Sequence, residues 1–243
     1  GWHEVVRDLS SKFFSSLKKI ELDVSDRAIY FANGICLCDG EFKEIDSSDY
    51  CLATKVFDFN INCDVDGESL FEKYINNAFG EDNKEYVELL IGYLMAREIT
   101  GSGRDRAIVI MDNNVIDNDG LMSEGGSGKS LFVKILGEVL GICIIDGKSF
   151  DDNSRFLFGA YRMGDGIILI DDVKRDFKME QLFSQITGGI VVERKFENAY
   201  RVPDEVGVKI VITSNYKIKI NGASNMRRRF DVYTSGYYGL HRR

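Results

Sequence analysis

The sequence is poor in residues that bind zinc. Its 243 residues include five cysteines and two histidines, and no two cysteines have the C-x-x-C spacing of a zinc site. The only imidazoles that could join them belong to His3 and His241. This pattern disfavours a zinc site and is typical of free or buried thiols in a reducing compartment. The cysteines are Cys36, Cys38, Cys51, Cys63 and Cys143.

Long apolar runs are also missing from the sequence. No stretch approaches the length that spans a bilayer, and the chain does not open with the apolar segment of a secretory signal. We therefore expect no membrane partner and a cytoplasmic location. The composition, 44% hydrophobic and 29% charged, is that of a globular chain with one large or two small domains.

Negative charge dominates the chain but not its last part. The formal net charge is −8, and residues 1–100 carry 20 acidic and 10 basic side chains. Residues 191–243 reverse the balance, with 5 acidic and 11 basic side chains. A basic end on an acidic body suits a protein that binds a polyanion at one surface, and a solvated basic face without a partner is the alternative.

Hydrophobic patterning divides the chain into three parts. Residues 1–66 form a small α+β region, with a helix over 5–22 and short strands over 27–32, 34–37, 41–45 and 55–60. Residues 67–103 form a helical segment, which ends at the glycine-rich break 101–103. Residues 104–243 alternate helices with largely apolar strands at 107–111, 142–145, 166–170 and 208–213. Such strands predict an α/β fold with a parallel sheet covered on both faces.

A glycine-rich turn leads into an apolar helix at residues 131–136. Its sequence, S-E-G-G-S-G-K-S at 123–130, resembles the phosphate-binding pattern G-x-x-x-x-G-K-[ST], with Ser123 in place of the first glycine. Lys129 would reach the β- and γ-phosphates of ATP, and Ser130 would ligate Mg²⁺. A turn that only caps a helix is the alternative. The predicted nucleotide-binding residues are Glu124, Gly125, Gly126, Ser127, Gly128, Lys129, Ser130 and Leu131.

The preceding strand leaves one question open. Eleven residues, 112–122, separate the strand 107–111 from Ser123. Either this loop is an insertion, or residues 120–122 are the true end of the strand before the phosphate-binding loop.

Two acids and an amide follow two of the later strands. Asp171 and Asp172 end an apolar strand about forty residues after the phosphate-binding loop. Asp171 is predicted to hold Mg²⁺, and Asp172 to orient the water that attacks the γ-phosphate. Asn215 follows the next core strand, where an amide can hold that water or contact the γ-phosphate. A plain turn residue is the alternative for Asn215.

Basic residues occur at two further places in this part. A hairpin is predicted over residues 186–202, with Arg194 and Lys195 near its tip, where cations suit contact with a nucleic-acid backbone. Ordinary solubilising charges are the alternative. An arginine cluster at 227–229 begins twelve residues after Asn215. Arg228 or Arg229 is predicted to reach the γ-phosphate on a neighbouring subunit, and a plain basic cluster is the alternative.

These elements, in this order, resemble a superfamily 3 helicase. The Gly-Gly to Lys195 hairpin between the paired acids and Asn215 is the specific feature, because general P-loop ATPases lack it. The earlier residues 25–100 also resemble the helicase half of phage, plasmid and poxvirus primase-helicases. The resemblance implies an AAA+-type motor that uses ATP and Mg²⁺, a homo-oligomeric ring, usually a hexamer, ATP sites at subunit interfaces and hairpins that line a channel.

The expected function is therefore that of an ATP-driven replicative DNA helicase from a phage or other mobile element. Its partners would be single-stranded DNA at a replication fork and a primase domain or protein. Two other functions remain open at this point. One is a P-loop ATPase that loads or remodels a protein, and the other is a nucleotide-gated DNA-binding module that does not unwind DNA.

Overall fold

The computed structural model divides the chain into two compact units, Gly1–Asp66 and Gly67–Arg243. The structure describes residues 28–37, 42–44, 56–57, 59–60, 67–96, 106–113, 126–203, 207–219 and 222–240. The helix predicted over residues 5–22 lies outside these ranges.

The first unit contains a four-stranded sheet of order β3-β2-β1-β4. Strands β1 and β2 form an antiparallel hairpin, and β4 is parallel to β1, with Phe31 opposite Phe57. The rings of these two phenylalanines stack with centroids 5.5 Å apart. The four predicted strands of this region are confirmed. Strand β2 (Gly34–Leu37) has the predicted bounds, and the other three are shorter than predicted: β1 (Ala28–Phe31), β3 (Phe42–Glu44) and β4 (Val56–Phe57).

The second unit is built around a five-stranded parallel sheet. The order of its strands is β11-β5-β10-β7-β6. The predicted α/β fold, with a parallel sheet flanked by helices, is confirmed. In chain order the elements of this unit are α1 (Leu70–Phe79), α2 (Lys84–Met95), β5 (Ala107–Asp112), α3 (Lys129–Leu140), β6 (Ile142–Asp146), β7 (Ile167–Val173), α4 (Phe183–Gly188), β8 (Ile190–Val192), β9 (Tyr200–Val202), β10 (Lys209–Ser214), α5 (Gly222–Arg228), β11 (Arg229–Thr234) and α6 (Tyr237–Leu240).

The strands are nearly continuous apolar runs because both faces of the sheet are covered. Successive side chains of a strand point to opposite faces. Ile108 and Ile110 of β5 therefore pack with α1, α2 and α3, whereas Val109 and Met111 pack in a second core with Met179 and the hairpin strands. All six residues of β5 are buried, as are all six of β10, which is the middle strand of the sheet.

The two helices of segment 67–103 pack on the sheet of the next segment. Helix α1 begins with a capping box, in which Ser69 Oγ accepts from the Glu72 N–H at 3.1 Å and the Glu72 carboxylate accepts from the Ser69 N–H at 2.9 Å. The buried ring of Phe79 packs edge-on against the ring of Phe132 on α3, with the ring centroids 5.0 Å apart. The compact unit therefore includes these helices, and the break at 101–103 falls within it. The three-part functional division of the chain remains a prediction.

Strand β11 was not predicted from the sequence. It pairs with β5 at one edge of the sheet, and its buried residues are Arg229, Val232 and Thr234. The sequence did not indicate this strand because an arginine begins it.

Among the described residues, no helix is both long and apolar enough to cross a membrane.

Candidate nucleotide-binding site

A cleft opens where the carboxyl ends of the parallel strands meet. These ends lie at one edge of the sheet, the usual position of ligands in open α/β folds. Helix α3 begins at the same edge. The cleft has a volume of about 410 Å³ and is lined by Gly126, Ser127, Gly128, Lys129, Ser130, Leu131, Asp171, Asp172, Thr213 and Asn215. The structure thus brings together most of the predicted nucleotide and metal residues, while Glu124 and Gly125 lie outside the described part of the chain.

The glycine before α3 has the backbone that a phosphate-binding loop requires. Gly128 has φ +95°, a left-handed conformation that side chains rarely adopt. Tyr74 of α1 also packs against it, and a Cβ at Gly128 would lie 3.0 Å from the Tyr74 Oη. The Tyr74 hydroxyl donates to the Gly128 carbonyl at 2.6 Å, and burial raises the pKa of Tyr74. Sequence reasoning missed this support for the loop.

The ammonium group of Lys129 is buried and contacts three oxygens. It donates to Asp112 Oδ1 at 2.6 Å, to Ser127 Oγ at 2.9 Å and to Asn215 Oδ1 at 3.0 Å. The side chain of Lys129 is only 6% exposed. Asp112, at the end of β5, was not predicted. It holds Lys129 at the edge of the sheet, where a phosphate would compete for the same ammonium.

Asp171 lies beside Ser130, as a metal site requires. Its Oδ1 accepts from Ser130 Oγ at 2.5 Å and from Thr213 Oγ1 at 2.7 Å, and its Oδ2 contacts Lys134 Nζ at 3.2 Å. Burial acts to raise the pKa of Asp171, but the hydrogen bonds from Ser130, Thr213 and Lys134 outweigh it and hold the pKa below its usual value. An ionised carboxylate next to a hydroxyl is a donor set that fits Mg²⁺.

Asp172 sits on a bulge in β7. Between the pairs Ile170–Ile212 and Val173–Ser214, β7 has one more residue than β10, and Asp172 has φ +58°. Its N–H donates to Thr213 Oγ1 at 2.8 Å. The bulge turns the carboxylate toward two donors, Asn215 Nδ2 at 2.8 Å and Lys148 Nζ at 2.7 Å. Asn215 therefore links Asp172 to Lys129.

The site residues that the sequence did not indicate share a common position. Asp112 ends β5, Thr213 is near the end of β10, and Lys148 follows β6. Polar residues at the carboxyl ends of predicted parallel strands were the signal that could have identified them. Lys134 and Tyr74 project from helices and carried no such signal.

The arginine cluster has three different environments. Arg229 is buried, donates to both carboxylate oxygens of Asp231 at 2.6 and 2.7 Å, and also donates to the Ile218 carbonyl. Arg229 is therefore bound within its own chain, and its role as an arginine that reaches another subunit stays a prediction. The guanidinium of Arg228 lies over the Phe183 ring at 4.7 Å and is half-buried. Arg227, which was not selected, is exposed.

The hairpin β8–β9 presents a lysine and a phenylalanine at its tip. The predicted antiparallel pairing is confirmed, with Val191 opposite Arg201. Lys195 is exposed, and Phe196 is fully exposed with φ +66°. Arg194 folds back and donates to the carbonyls of Gly159 and Tyr161 and to Glu197. Arg194 therefore anchors the hairpin, and its role as a nucleic-acid contact stays a prediction.

One family model matches the chain over its central and later part. Residues 121–229 match a family of unknown function, DUF5906. The match contains the phosphate-binding loop, the paired acids, the hairpin and the arginine cluster. No curated protein matches the chain.

Several solved structures are similar to the chain at low sequence identity. The apo structure of the NrS-1 C-terminal region (305–718) has a TM-score of 0.50 and 17% identity over 70% of this chain and 39% of that chain. An A-form apo structure of the same region has a TM-score of 0.46 and 16% identity, covering 70% and 40%. A JCV helicase with a bound acetamide compound has a TM-score of 0.42 and 16% identity, covering 69% and 47%.

The NrS-1 structure with a TM-score of 0.50 has the same class of fold. The chain spans about 40% of the length of the NrS-1 structures, so the similarity describes a shared core. A five-stranded parallel sheet, a phosphate-binding loop before a helix and two acids at the end of a buried strand define a P-loop, helicase-like α/β fold.

Proposed function

We propose that the chain is the ATP-driven motor of a replicative DNA helicase, encoded by a phage or another mobile element and acting in the cytoplasm of the host cell. The observation that supports this most is the convergence of Lys129, Asp171, Asp172 and Asn215 at one cleft. Hydrogen bonds connect the lysine to the amide and the amide to Asp172. A site that only held an anion would need the lysine and the loop but not the two acids.

In this proposal the loop residues bind the phosphates of ATP. The N–H groups of 126–131, with Glu124 and Gly125 before them, surround the phosphates, and Lys129 moves from Asp112 to the β- and γ-phosphates. Ser130 and Asp171 would hold Mg²⁺, which when bound neutralises charge on the phosphate oxygens.

Asp172 and Asn215 are the residues that act on the attacking water. Asp172 accepts a hydrogen bond from the water and directs its lone pair toward the γ-phosphate. Asn215, 2.8 Å from Asp172 and 3.0 Å from Lys129, fixes the water relative to the phosphate. Because Asp172 and Asn215 lie at strand ends, these two residues need little reorganisation when nucleotide binds.

ATP hydrolysis with and without single-stranded DNA tests the proposal. We expect hydrolysis that DNA stimulates, and a loss of about 10²-fold or more in the Lys129→Ala protein. Lys178→Ala, which changes an exposed lysine, is the matched control and should keep the wild-type rate. Wild-type turnover by Lys129→Ala would overturn the assignment of the phosphate-binding loop.

Strand displacement separates the helicase from other uses of the same site. A forked duplex with one labelled strand should be unwound only when ATP is hydrolysed. DNA-stimulated hydrolysis without displacement would instead indicate an ATPase that remodels a protein. DNA binding that depends on nucleotide but occurs without turnover would indicate a gated binding module.

Nucleic acid would be bound at the tip of the hairpin. Lys195 offers a cation to the phosphate backbone, and the exposed ring of Phe196 offers a surface on which a base can stack. In a hexameric ring each subunit would contribute one such tip, so modest contacts would add around the strand. A primase domain or protein would act beside this ring.

A further inference from the structure

The turn that follows β6 brings a second lysine to the cleft. Lys148 Nζ lies 2.7 Å from Asp172 Oδ2, while Asn215 donates to the other oxygen of the same carboxylate at 2.8 Å. Each oxygen of the Asp172 carboxylate therefore has its own donor. Lys148 lies 23 residues before Asp171 in the sequence, and only the pairing of β6 with β7 brings it close.

The backbone of this turn is pressed against β7. A Cβ at Gly147 would lie 2.6 Å from the Asp171 carbonyl oxygen and 2.7 Å from the Val173 nitrogen. Backbone atoms cannot yield easily, so position 147 requires glycine for this close approach. The contact fixes the distance between the following residue, Lys148, and the bulge that carries Asp172.

A short local network orients the lysine. Asp146 pairs with Asp171 in the sheet register, and its Oδ1 accepts from the Lys148 N–H at 3.1 Å. Hydrogen bonds from Ser149 and from the Lys148 N–H lower the pKa of Asp146. The hydrogen bond to Asp172 in turn raises the pKa of Lys148.

Stability alone does not account for this ion pair. The side chain of Lys148 is 67% exposed and that of Asp172 is 35% exposed. Such exposed ion pairs contribute little to folding. The close packing of the turn nevertheless requires glycine at position 147, and Asp146 accepts a hydrogen bond from the Lys148 N–H. This local order favours a role for Lys148 in the chemistry of the cleft.

We propose that Lys148 is a positioning residue for ATP hydrolysis, which holds the Asp172 carboxylate at the angle that directs the attacking water. A carboxylate held at one oxygen only can rotate, and small errors in orientation reduce the rate of a reaction strongly. The inference rests on the proposed function, since it assigns a residue to the same hydrolysis step.

The kinetics of single variants give the first test. Lys148→Ala should lower kcat by about tenfold or more and leave KM for ATP within about twofold, because Lys148 acts on Asp172 and not on the bound phosphates. Lys148→Arg should recover part of the loss, since arginine restores a cation at this position. Lys178→Ala again serves as the control for an exposed lysine. An unchanged kcat in Lys148→Ala would overturn the inference.

A double-mutant comparison tests whether Lys148 acts through Asp172. If it does, Lys148→Ala should have little further effect in a protein that already carries Asp172→Asn. An equal loss in both backgrounds would show that Lys148 acts independently of Asp172 and would contradict the inference. If the wild type hydrolyses ATP and Lys129→Ala does not, then a wild-type rate in Lys148→Ala would contradict this inference but leave the proposed function standing. A wild type without ATP hydrolysis removes the proposed function and the inference together.

Discussion

At the scale of single residues, the buried ion pair between Lys129 and Asp112 connects stability to ligand binding. The two side chains are 6% and 10% exposed, and their charged atoms are 2.6 Å apart. Thr234 of β11 also donates to Asp112, at 3.1 Å. A buried cation needs a partner, and Asp112 supplies the negative charge. In the proposed function, a phosphate would take its place.

Replacing Asp112 tests this exchange. Asp112→Asn keeps the shape of the side chain but removes the charge, and we expect it to destabilise the nucleotide-free protein by about 1–3 kcal/mol. ATP with Mg²⁺ should then raise Tm more in Asp112→Asn than in wild type, because phosphate restores the missing charge. Asp176→Asn, at an exposed acid, is the control. Equal ligand-induced shifts in Tm would show that Asp112 does not compete for Lys129.

A second buried lysine, Lys209, has no carboxylate partner among the residues that the structure describes. Lys209 begins β10, is buried, and lies with its Nζ 5.0 Å from the centre of the Tyr93 ring. Burial lowers the pKa of Lys209 to about 8. Its burial also makes it unsuitable as a contact for nucleic acid.

The lowered pKa predicts how stability depends on pH. From about pH 8 up to the ordinary pKa of lysine, the unfolded state binds a proton that the native state lacks, so stability should rise with pH in this window. Below pH 8 the cost of the buried charge is fully present. Lys209→Met should therefore stabilise the protein at pH 7 by about 2 kcal/mol and remove this rise. Urea unfolding from pH 7 to 10 measures the stabilisation and its pH dependence, with Lys178→Met as control. If the free energy of unfolding changed with pH in the same way in wild type and Lys209→Met, the lowered pKa of Lys209 would be contradicted.

At the scale of elements, the hairpin β8–β9 is divided between anchoring and exposed residues. Arg194 Nε donates to the Gly159 carbonyl at 2.8 Å, and Glu193 pairs with Arg155 at 2.6 Å. The next residues, Lys195 and Phe196, are exposed. The hairpin is therefore fixed at its sides, and its tip is free to contact a strand of nucleic acid.

Changing the tip should affect DNA binding without changing basal hydrolysis. Lys195→Ala is expected to weaken binding of single-stranded DNA and to make its salt dependence less steep, because one phosphate contact is lost. Basal ATPase activity should stay at the wild-type rate, since Lys195 does not line the nucleotide cleft. Binding isotherms at three or more salt concentrations measure the slope, with Lys174→Ala as the exposed control. Unchanged affinity at every salt concentration would exclude the tip as the DNA contact.

At the scale of the whole molecule, the arginine cluster bears on assembly. Arg229 is bound within its own chain, and Arg228 stacks on Phe183 of α4. Arg227 is exposed and lies directly before Arg228 at the end of α5. If subunits share ATP sites, Arg227 is now the first candidate to reach a neighbouring γ-phosphate, and Arg228 is the second.

Mixing variant subunits tests the shared site. Arg227→Ala and Lys129→Ala proteins should each have low ATPase activity, and a mixture should recover part of it because some interfaces pair an intact loop with an intact arginine. The same experiment with Arg228→Ala ranks the two arginines, and Arg162→Ala controls for loss of an exposed arginine. No recovery under conditions where subunits exchange would argue against an arginine supplied by a neighbour.

The sequence by itself determined the features that depend on neighbouring residues. The glycines before Lys129, the apolar run before Asp171 and the strand–helix alternation each specify a local backbone, so the loop and the sheet could be predicted. Residue types at strand ends also predicted that Lys129, Asp171, Asp172 and Asn215 would meet, because parallel strands share an edge.

Only the tertiary structure decided which charged groups are free to act. In the sequence, Arg194, Arg228 and Arg229 cannot be distinguished from arginines that bind ligands. The structure binds Arg194 to carbonyls of a distant loop and Arg229 to Asp231, whereas Arg227 stays exposed. The same holds for Asp112, Lys148 and Tyr74, whose partners lie 17 to 54 residues away. A side chain's charge is fixed by its residue type, but its partners and burial are set by distant segments that meet only when the chain folds.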